Sequence, residues 1–341
     1  MRRFHWQSVG SIVQACSAAQ TRRRTCVRTS AMAYYLGIDG GGTKTRCVLA
    51  DETTVFARSM TGGCSVLRFG EQKAREALHA AIHQVCDASK ISPDKISAVC
   101  IGVTGAARPA IAEKIRGILS ELIGESAPAK IEVVGDHEIA LEAAFGERPG
   151  VIVIAGTGSI VYGRDAVGQS ARAGGWGFAV SDEGSGHWIG RRAISVVLNA
   201  RDQGLYTAVT AMVLDAWKIA TIDELVQQAN STPPPDFPRL FPVVLRAADA
   251  GDTVALALLS DAATKLAELT AIVIRRLASR AVTDGPMASG LSVAITGSVF
   301  RQSSCVREVF YNELQSSFPG LDVRQDLVDP VQGALARARR R

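Results

Sequence analysis

The sequence has no pair of cysteines spaced as in CxxC, although it contains seven cysteines. They are scattered at Cys16, Cys26, Cys47, Cys64, Cys86, Cys100 and Cys305. Zinc sites and disulfide frameworks need regular cysteine spacing, so neither is expected here. Most of these thiols are better interpreted as small apolar side chains of a protein core.

Long apolar runs are also missing, since no stretch has the roughly 18 apolar residues without charge that a membrane span requires. Residues 9–19 are too short and too polar for a span or a secretion signal. With 47% hydrophobic and 21% charged residues, the composition is typical of a globular protein. We therefore expect a cytoplasmic protein with no membrane contact, and 341 residues are enough for two domains.

Acidic residues are absent from residues 1–33, which carry six arginines. This composition fits an organelle transit peptide or a segment upstream of a true start at Met32, and we favour the second interpretation. Without these arginines the chain has 32 basic and 33 acidic residues, so no nucleic-acid partner is expected. We expect the arginines at 337 and 339–341 to form a solvated tail.

A glycine turn lies between two apolar runs in Tyr34–Asp51, YYLGIDGGGTKTRCVLAD. Glycines 40–42 allow backbone amides to approach an anion without obstruction by a Cβ atom. A P-loop is excluded because Thr43 separates Gly42 from Lys44 and the pattern continues as a strand. The segment is either a phosphate-binding β-hairpin or an ordinary glycine hairpin.

The same plan recurs about 115 residues later in Gly150–Asp165, GVIVIAGTGSIVYGRD. An apolar strand, a turn at Gly156–Ser159 and another strand follow one another. Two such hairpins predict an internal duplication, although strand-turn-strand units also recur by chance.

Strand and helix signals alternate between and after the hairpins, which predicts an α/β protein. Thr232–Pro242 is expected to be a loop, and residues 252–280 one long helix or two stacked helices. A domain boundary is expected near residues 146–150, which gives a leader (1–33), a first domain (34–147) and a second domain (148–329). The other predicted elements are helices over Glu71–Ala88, Ala110–Leu122 and Ile139–Phe145, and strands over Ile96–Val103 and Ile131–Val134.

The two hairpins, in this order, resemble the phosphate 1 and phosphate 2 motifs of the sugar kinase, Hsp70 and actin superfamily. Gly174–Gly190, GGWGFAVSDEGSGHWIG, resembles the signature of N-acetylglucosamine kinases and the related BadF/BadG/BcrA/BcrD ATPase family. Leu291–Val299 is similar to the adenosine motif, and the resemblance extends from about Tyr34 to about Ala336. It implies a two-domain actin-like ATPase fold of duplicated ribonuclease H-like domains, with a last helix (330–338) that returns to the first domain.

The resemblance also implies an ATP site between the domains. Asp39 corresponds to the family's acidic residue that holds Mg²⁺, here through water molecules; alternatively it caps a turn. Thr43 and Thr157 correspond to threonines that contact phosphates, or are plain strand residues. The implied nucleotide-binding residues are Gly40, Gly41, Gly42, Thr43, Gly156, Thr157, Gly158, Gly297 and Ser298.

Asp136 follows a predicted strand and is the candidate general base for a sugar hydroxyl. Its alternative role is the N-cap of the next helix. We expect the side chain of His137 to point away from it. By resemblance, the amino-sugar site comprises Ser65, Asp136, Ser159, Ile160, Gly175, Trp176, Gly177 and Asp182.

Two of these sugar-site residues raise alternatives. Trp176 could instead be packed in the core. Ser65 stands where the family commonly has Asn, with one hydrogen-bonding group fewer, so glucosamine or another amino sugar stays open beside N-acetylglucosamine.

The leading interpretation is an ATP-dependent amino-sugar kinase acting on the 6-hydroxyl of N-acetylglucosamine, with ATP and Mg²⁺ and, by resemblance, as a homodimer. One alternative is a glucosamine kinase of the same fold. Another is an ATPase that activates a partner enzyme through a cysteine-bound iron–sulfur cluster, for which no cysteine is suitably placed. A nucleotide sensor without turnover is the last alternative.

Overall fold

The computed structural model describes residues 32–124, 129–279 and 290–341. All of the predicted leader except its last two residues lies outside these ranges, as do Cys16 and Cys26. Residues Ala33–Arg341 form one compact unit.

The first five-stranded sheet has the order β3-β2-β1-β4-β5. Its first three strands are antiparallel neighbours, whereas β4 and β5 are parallel to β1. The strands are β1 (Tyr34–Gly40), β2 (Lys44–Ala50), β3 (Val55–Gly62), β4 (Ile96–Val103) and β5 (Lys130–Val134). Helices α1 (Val66–Ser89) and α2 (Pro109–Ile123) bury their apolar faces against this sheet, and together they form the first lobe.

The second sheet has the equivalent order, β10-β9-β6-β7-β8, with the same strand directions. The predicted internal duplication is therefore confirmed at the level of topology. Its strands are β6 (Gly150–Ala155), β7 (Ser159–Arg164), β8 (Ser170–Gly174), β9 (Ser292–Thr296) and β10 (Asp322–Leu327).

Most of the helices lie between strands of the second sheet in the chain and enclose the core of this sheet, forming the second lobe. Before them comes α3 (Asp136–Phe145), and the rest are α4 (Gly186–Asp202), α5 (Ala208–Trp217), α6 (Ile222–Ala229), α7 (Phe241–Asp249), α8 (Thr253–Ala278), α9 (Ser298–Gln302) and α10 (Ser304–Ser317). The loop predicted over Thr232–Pro242 is wrong in its second half, since a 3₁₀ turn (Phe237–Leu240) runs into α7. The long segment that precedes residue 280 is a single helix, α8.

Helix α3 packs against both sheets. On one face Ile139 contacts the core formed with Cys100 of β4. On the other face Ala140 and Leu141 pack with Ile152 of β6. The residues at the N-terminus of α3 therefore lie where the two lobes meet.

The last helix, α11 (Pro330–Arg339), lies beside α3 and returns to the first sheet. Val331 and Leu335 pack on Val48 and Ala50 of β2. A Cβ atom at Gly37 would lie 2.6 Å from the backbone nitrogen of Leu335, so only glycine permits this approach.

The prediction of a solvated arginine tail is wrong. Arg337 forms an ion pair with Glu132 (2.6 Å), and Arg340 forms one with the buried Glu142 (2.8 Å). The Arg339 Nε atom donates to the carbonyl oxygen of Asp51 (2.9 Å). These arginines fix α11 to the first lobe and to α3.

Among the helices of the described ranges, none is both long and apolar enough to cross a membrane.

Candidate active site

The first glycine hairpin turns tightly at Gly41–Thr43, between β1 and β2. The Gly41 amide donates to the Lys44 carbonyl oxygen (3.0 Å). A Cβ atom at Gly40 would lie 2.6 Å from the sulfur of Cys64, so the strand end also requires glycine. The groups of this turn that are available to a ligand are therefore its backbone and the Thr43 hydroxyl.

The second hairpin is tied to the start of α4. The carbonyl oxygens of Gly156 and Thr157 accept from the amides of Gly186 (2.8 Å) and His187 (3.2 Å). Within the turn the Gly156 amide donates to the Gly158 carbonyl oxygen (2.9 Å). The start of helix α4 is therefore hydrogen-bonded to this hairpin.

The two hairpins face each other across the boundary between the lobes. The hydroxyl oxygens of Thr43 and Thr157 are 2.7 Å apart, although 114 residues separate them in sequence. Gly297 lies next to the second hairpin, since a Cβ there would be 2.1 Å from the Ala155 carbonyl oxygen, and its φ is +111°. Ser298 begins α9 directly after it.

Asp39 is paired with Arg46 rather than capping a turn, so the turn-cap alternative is wrong. Arg46 lies opposite Asp39 in the β1–β2 ladder, and its Nη2 atom is 2.6 Å from Asp39 Oδ2. Its Nη1 atom is 2.6 Å from Asp329 Oδ1, at the N-terminus of α11. Arg46 therefore links two carboxylates from opposite ends of the chain.

The charge balance at Asp39 bears on cation binding. Burial raises the pKa of Asp39, Arg46 lowers it, and the carboxylates of Asp136 and Asp329 raise it again, with a net upward shift. Carboxylate oxygen is the donor type that Mg²⁺ takes. Within the described residues no set of three or more His, Cys, Asp or Glu side chains is arranged to hold a metal. Asp39 could therefore offer a single carboxylate to a cation.

Asp136 is the first residue of α3, and its carboxylate accepts two hydrogen bonds. The Thr104 hydroxyl donates to Oδ2 (2.7 Å), and the His137 amide donates to Oδ1 (3.0 Å). The His137 Nδ1 atom is 3.5 Å from Oδ1. Burial acts to raise the pKa of Asp136, but these contacts outweigh burial and hold the pKa below its ordinary value.

Two expectations about this region are wrong. Gly135, not Asp136, is the N-cap of α3, and its amide donates to the carboxylate of Glu138 (3.0 Å). The ring of His137 does not point away from Asp136 but contacts its carboxylate. It also packs edge-on against Tyr162 of the second lobe, with ring centroids 4.5 Å apart.

Sequence reasoning missed Thr104 and Arg46, and each had a signal. Thr104 follows β4 and Asp136 follows β5, and the carboxyl ends of neighbouring parallel strands meet at one edge of a sheet. Arg46 and Asp39 occupy positions that a short hairpin turn places opposite each other.

On the second lobe, Asp182 lies against the start of β7. The backbone amides of Ser159 and Gly177 bind its carboxylate, and its φ is +67°. Burial raises the pKa of Asp182 to about 6, and the nearby charges of Glu183 and Asp136 also raise it.

The other predicted sugar-site residues divide into two groups. Ile160 pairs with Gly174 in the β7–β8 ladder, and a Cβ atom at Gly175 would lie 2.7 Å from Ile160 Cδ1. Ser159 is buried and its hydroxyl donates to the Glu183 carbonyl oxygen (2.7 Å). These residues adjoin Asp182.

The second group consists of Ser65 and Trp176, which differ in their exposure to solvent. Ser65 is buried in the first lobe and starts α1, its carbonyl accepting from the Phe69 amide (3.0 Å). The side chain of Trp176 is 69% exposed, with the Arg172 guanidinium 3.9 Å from its ring centroid. The core-packing alternative for Trp176 is wrong.

The sequence that forms these two sheets and glycine hairpins matches a described protein family. The family model of the BadF/BadG/BcrA/BcrD ATPase family matches residues 36–338. The chain belongs to this family. The resemblance inferred from the hairpins and from the Gly174–Gly190 segment is thereby confirmed, together with the two-domain actin-like fold.

The chain is similar to proteins that are named as sugar kinases. The chain is 31% identical, over 90% of its length and 99% of the relative, to an N-acetylmuramic acid/N-acetylglucosamine kinase of Clostridium acetobutylicum. It is 29% identical, over 89% of its length and 97% of the relative, to an N-acetyl-D-glucosamine kinase of Dictyostelium discoideum. A solved structure of a candidate N-acetylglucosamine kinase from Chromobacterium violaceum is 28% identical, with a TM-score of 0.70, covering 90% of this chain and 99% of that one.

Proposed function

We propose that this protein is an ATP-dependent amino-sugar kinase that phosphorylates the 6-hydroxyl of N-acetylglucosamine. The observation that carries the proposal is the position of Asp136, an ionised carboxylate at the junction of the lobes from which the two glycine hairpins also project. The kinases named among the relatives support the same reaction class.

In this proposal Asp136 accepts the proton of the sugar hydroxyl as the hydroxyl oxygen attacks the γ-phosphorus of ATP, while the bond from this phosphorus to the β,γ-bridging oxygen breaks and ADP leaves with its electron pair. A general base must be ionised at the working pH, and the hydrogen bonds from Thr104 and His137 hold Asp136 in that form. The N-terminus of α3 adds a partial positive charge that also favours the anion.

The hairpins are proposed to bind the phosphates. Phosphoryl transfer requires positioning and hydrogen-bond donors more than covalent chemistry, and the backbone amides and hydroxyls around Thr43 and Thr157 supply donors from both lobes. The remaining proposed nucleotide residues are Gly40, Gly41, Gly42, Gly156, Gly158, Gly297 and Ser298.

Asp39 would hold Mg²⁺ through water, and the ion would neutralise charge on the phosphates. Arg46 fixes the orientation of the Asp39 carboxylate in that arrangement.

The sugar is proposed to lie between Ser65 and Asp136 on one side and Asp182 on the other. Asp182, whose pKa is about 6, is ionised at neutral pH and can accept hydrogen bonds from sugar hydroxyls. Ser159, Ile160, Gly175, Trp176 and Gly177 complete the proposed site.

A second candidate is a glucosamine kinase of the same fold. Ser65 favours it, because a serine offers one hydrogen-bonding group fewer than the family's Asn for an acetamido substituent. The name of the Clostridium relative adds N-acetylmuramic acid to the sugars to be tested.

The experiment described below also tests two further alternatives. An ATPase that activates a partner through a cluster at an interface would need accessible cysteines. Of the five cysteines that the structure describes, Cys47, Cys64, Cys86 and Cys100 are buried and Cys305 is partly exposed. A nucleotide sensor would bind ATP without turnover.

The domain arrangement, location and assembly are also proposed. Residues 34–147 with the last helix (330–338), and residues 148–329, would be the two halves of a clamp that closes on the sugar. We propose a cytoplasmic homodimer, to be checked by light scattering of the purified protein.

The test is ADP release coupled to a spectrophotometric readout, with protein started at Met32 and with Mg-ATP. The sugar panel is N-acetylglucosamine, glucosamine, N-acetylmuramic acid, N-acetylmannosamine and glucose. We expect turnover that depends on an amino sugar and is lost in Asp136→Asn, with N-acetylglucosamine giving the highest kcat/KM.

Two outcomes would contradict the proposal. Hydrolysis of ATP that no sugar stimulates would favour the partner-activating ATPase, and binding of ATP without any ADP release would favour the sensor. A higher kcat/KM for glucosamine would keep the kinase and change its substrate.

A further inference from the structure

One ion pair joins the rims of the two lobes. Arg68 belongs to the single helical turn between Ser65 and Gly70, where a φ of +83° interrupts α1. Its Nη2 atom is 3.1 Å from Oδ1 of Asp236, which directly precedes the 3₁₀ turn of the second lobe. The proposed catalytic and binding machinery includes neither residue.

The arginine end of this pair is attached to the first hairpin. The Arg68 Nη1 atom donates to the carbonyl oxygen of Gly42 (3.2 Å). One guanidinium group therefore contacts both the proposed phosphate turn of the first lobe and a carboxylate of the second lobe.

Asp236 is connected to the second hairpin through its neighbour Phe237 and through His187. The ring of Phe237, the next residue, packs edge-on against the ring of His187, with centroids 5.4 Å apart. The amide of His187 donates to the Thr157 carbonyl oxygen (3.2 Å). A Cβ atom at Gly190 would lie 1.9 Å from the Phe237 carbonyl oxygen, so this segment rests directly on α4.

We propose that Arg68 is a positioning residue that, through Asp236, holds the two phosphate hairpins opposite each other when the cleft is closed. This inference rests on the proposed function for its kinetic consequences. Arg68 and Asp236 retain 36% and 47% of their side-chain exposure. Because half-exposed ion pairs are weak, this one can form and break as the cleft closes and opens in each catalytic cycle.

The kinetic test compares Arg68→Gln, Asp236→Asn and the double variant. Each single variant should raise the KM for ATP about two- to five-fold, the range expected for an exposed ion pair, with kcat within about two-fold of wild type. The double variant should be no worse than Arg68→Gln, because the second substitution removes a partner that is already unpaired. Effects that multiply in the double variant would overturn the proposal.

The matched control is Arg75→Gln. Arg75 lies on the same helix and is similarly exposed, but its partners Glu71 and Glu121 belong to its own lobe. This variant should keep the wild-type KM for ATP. An equal rise in Arg75→Gln would show that loss of any arginine from α1 has the same effect, which would overturn the role of Arg68.

A second readout does not depend on kinase activity. Hydrogen exchange followed by mass spectrometry should show amides in residues 40–45 and 156–160 exchanging about two- to five-fold faster in Arg68→Gln, and unchanged in Arg75→Gln. If no sugar is phosphorylated, the proposed function fails while this measurement still tests the pair. Unchanged exchange in Arg68→Gln would overturn the inference.

Discussion

Two carboxylates on opposite sides of the cleft have pKa values shifted in opposite directions. Asp136 accepts bonds from Thr104 and His137, and its pKa lies below the ordinary value. Burial and like charges raise the pKa of Asp182 to about 6. Environments that separate the pKa values of neighbouring acids are typical of sites that assign them different roles. Here they fit Asp136 as base and Asp182 as a sugar ligand.

At the residue scale, Thr104→Val should make catalysis more sensitive to acid. Loss of the hydroxyl removes a hydrogen bond to a charged group, worth roughly 1.5–3 kcal/mol, and so raises the pKa of Asp136 by about one unit or more. A base with a raised pKa is protonated sooner as the pH falls. We expect the acid limb of the kcat–pH profile to lie at higher pH in Thr104→Val than in wild type, so that the variant loses activity first as the pH falls.

The control is Thr104→Ser, which keeps the donor hydroxyl and should keep the wild-type pH profile. A pH–kcat profile for Thr104→Val that matches wild type would show that this hydrogen bond does not tune the base. A circular dichroism melt at each pH separates this effect from acid unfolding.

At the element scale, the crossing of α3 and α11 determines where the site is. The two helices approach so closely that a Cβ atom at Gly333 would lie 1.9 Å from the Ile139 carbonyl oxygen. Helix α3 carries Asp136 at one end and packs on both sheets, so a shift of α11 would move the proposed base. The arginine pairs at the end of α11 hold this crossing in place.

Gly333→Ala should therefore destabilise the protein by roughly 1–3 kcal/mol, because α11 must move away from α3 to admit the methyl group. The matched variant is Gly117→Ala in α2, where a Cβ atom meets nothing within 4 Å. That change should stabilise by about 0.5–1 kcal/mol, since alanine loses less entropy than glycine on entering a helix. Urea unfolding measures both. Similar changes in the two variants would contradict close packing at Gly333.

At the scale of the whole molecule, two sheets of identical order present equivalent hairpins to each other. The Thr43–Thr157 and Arg68–Asp236 contacts connect the lobes on this side, and Arg46–Asp329 connects β2 to the start of α11. Because residues from both lobes contribute to the proposed sugar site, a bound sugar should stabilise the molecule as a unit.

We expect N-acetylglucosamine at about 100 times its Kd to raise the free energy of unfolding by about 2.7 kcal/mol through mass action. Asp136→Asn should keep most of this stabilisation, because asparagine still offers the sugar hydroxyl an acceptor oxygen although it cannot take the proton. Asp182→Ala should lose most of it, because alanine offers the sugar no acceptor. Thermal unfolding with and without sugar, at one sugar concentration of about 100 times the wild-type Kd for every variant, provides the measurement. Loss of sugar-dependent stabilisation in both variants or in neither would count against these separate roles.

Much of the fold could be predicted from local features of the chain. The glycine turns, the apolar runs beside them and the helical periodicity of residues such as Ala74 and Leu78 depend on neighbours a few positions away. The internal duplication could be predicted because the same strand–turn–strand pattern occurs twice in the sequence. The strand ends that carry Asp39 and Asp136 were located for the same reason.

The tertiary structure decided which distant groups meet. Arg46 and Asp329 are 283 residues apart, and Arg68 and Asp236 are 168 apart. In the sequence alone the arginines of α11 resemble a solvated tail. In the folded chain the helix lies beside Glu132 and Glu142, and these arginines form ion pairs with them. No local pattern specifies such partners, because an ion pair forms only after packing of apolar faces has brought the two elements together. The sequence by itself therefore determined the elements and the candidate residues, while packing determined their electrostatic environment.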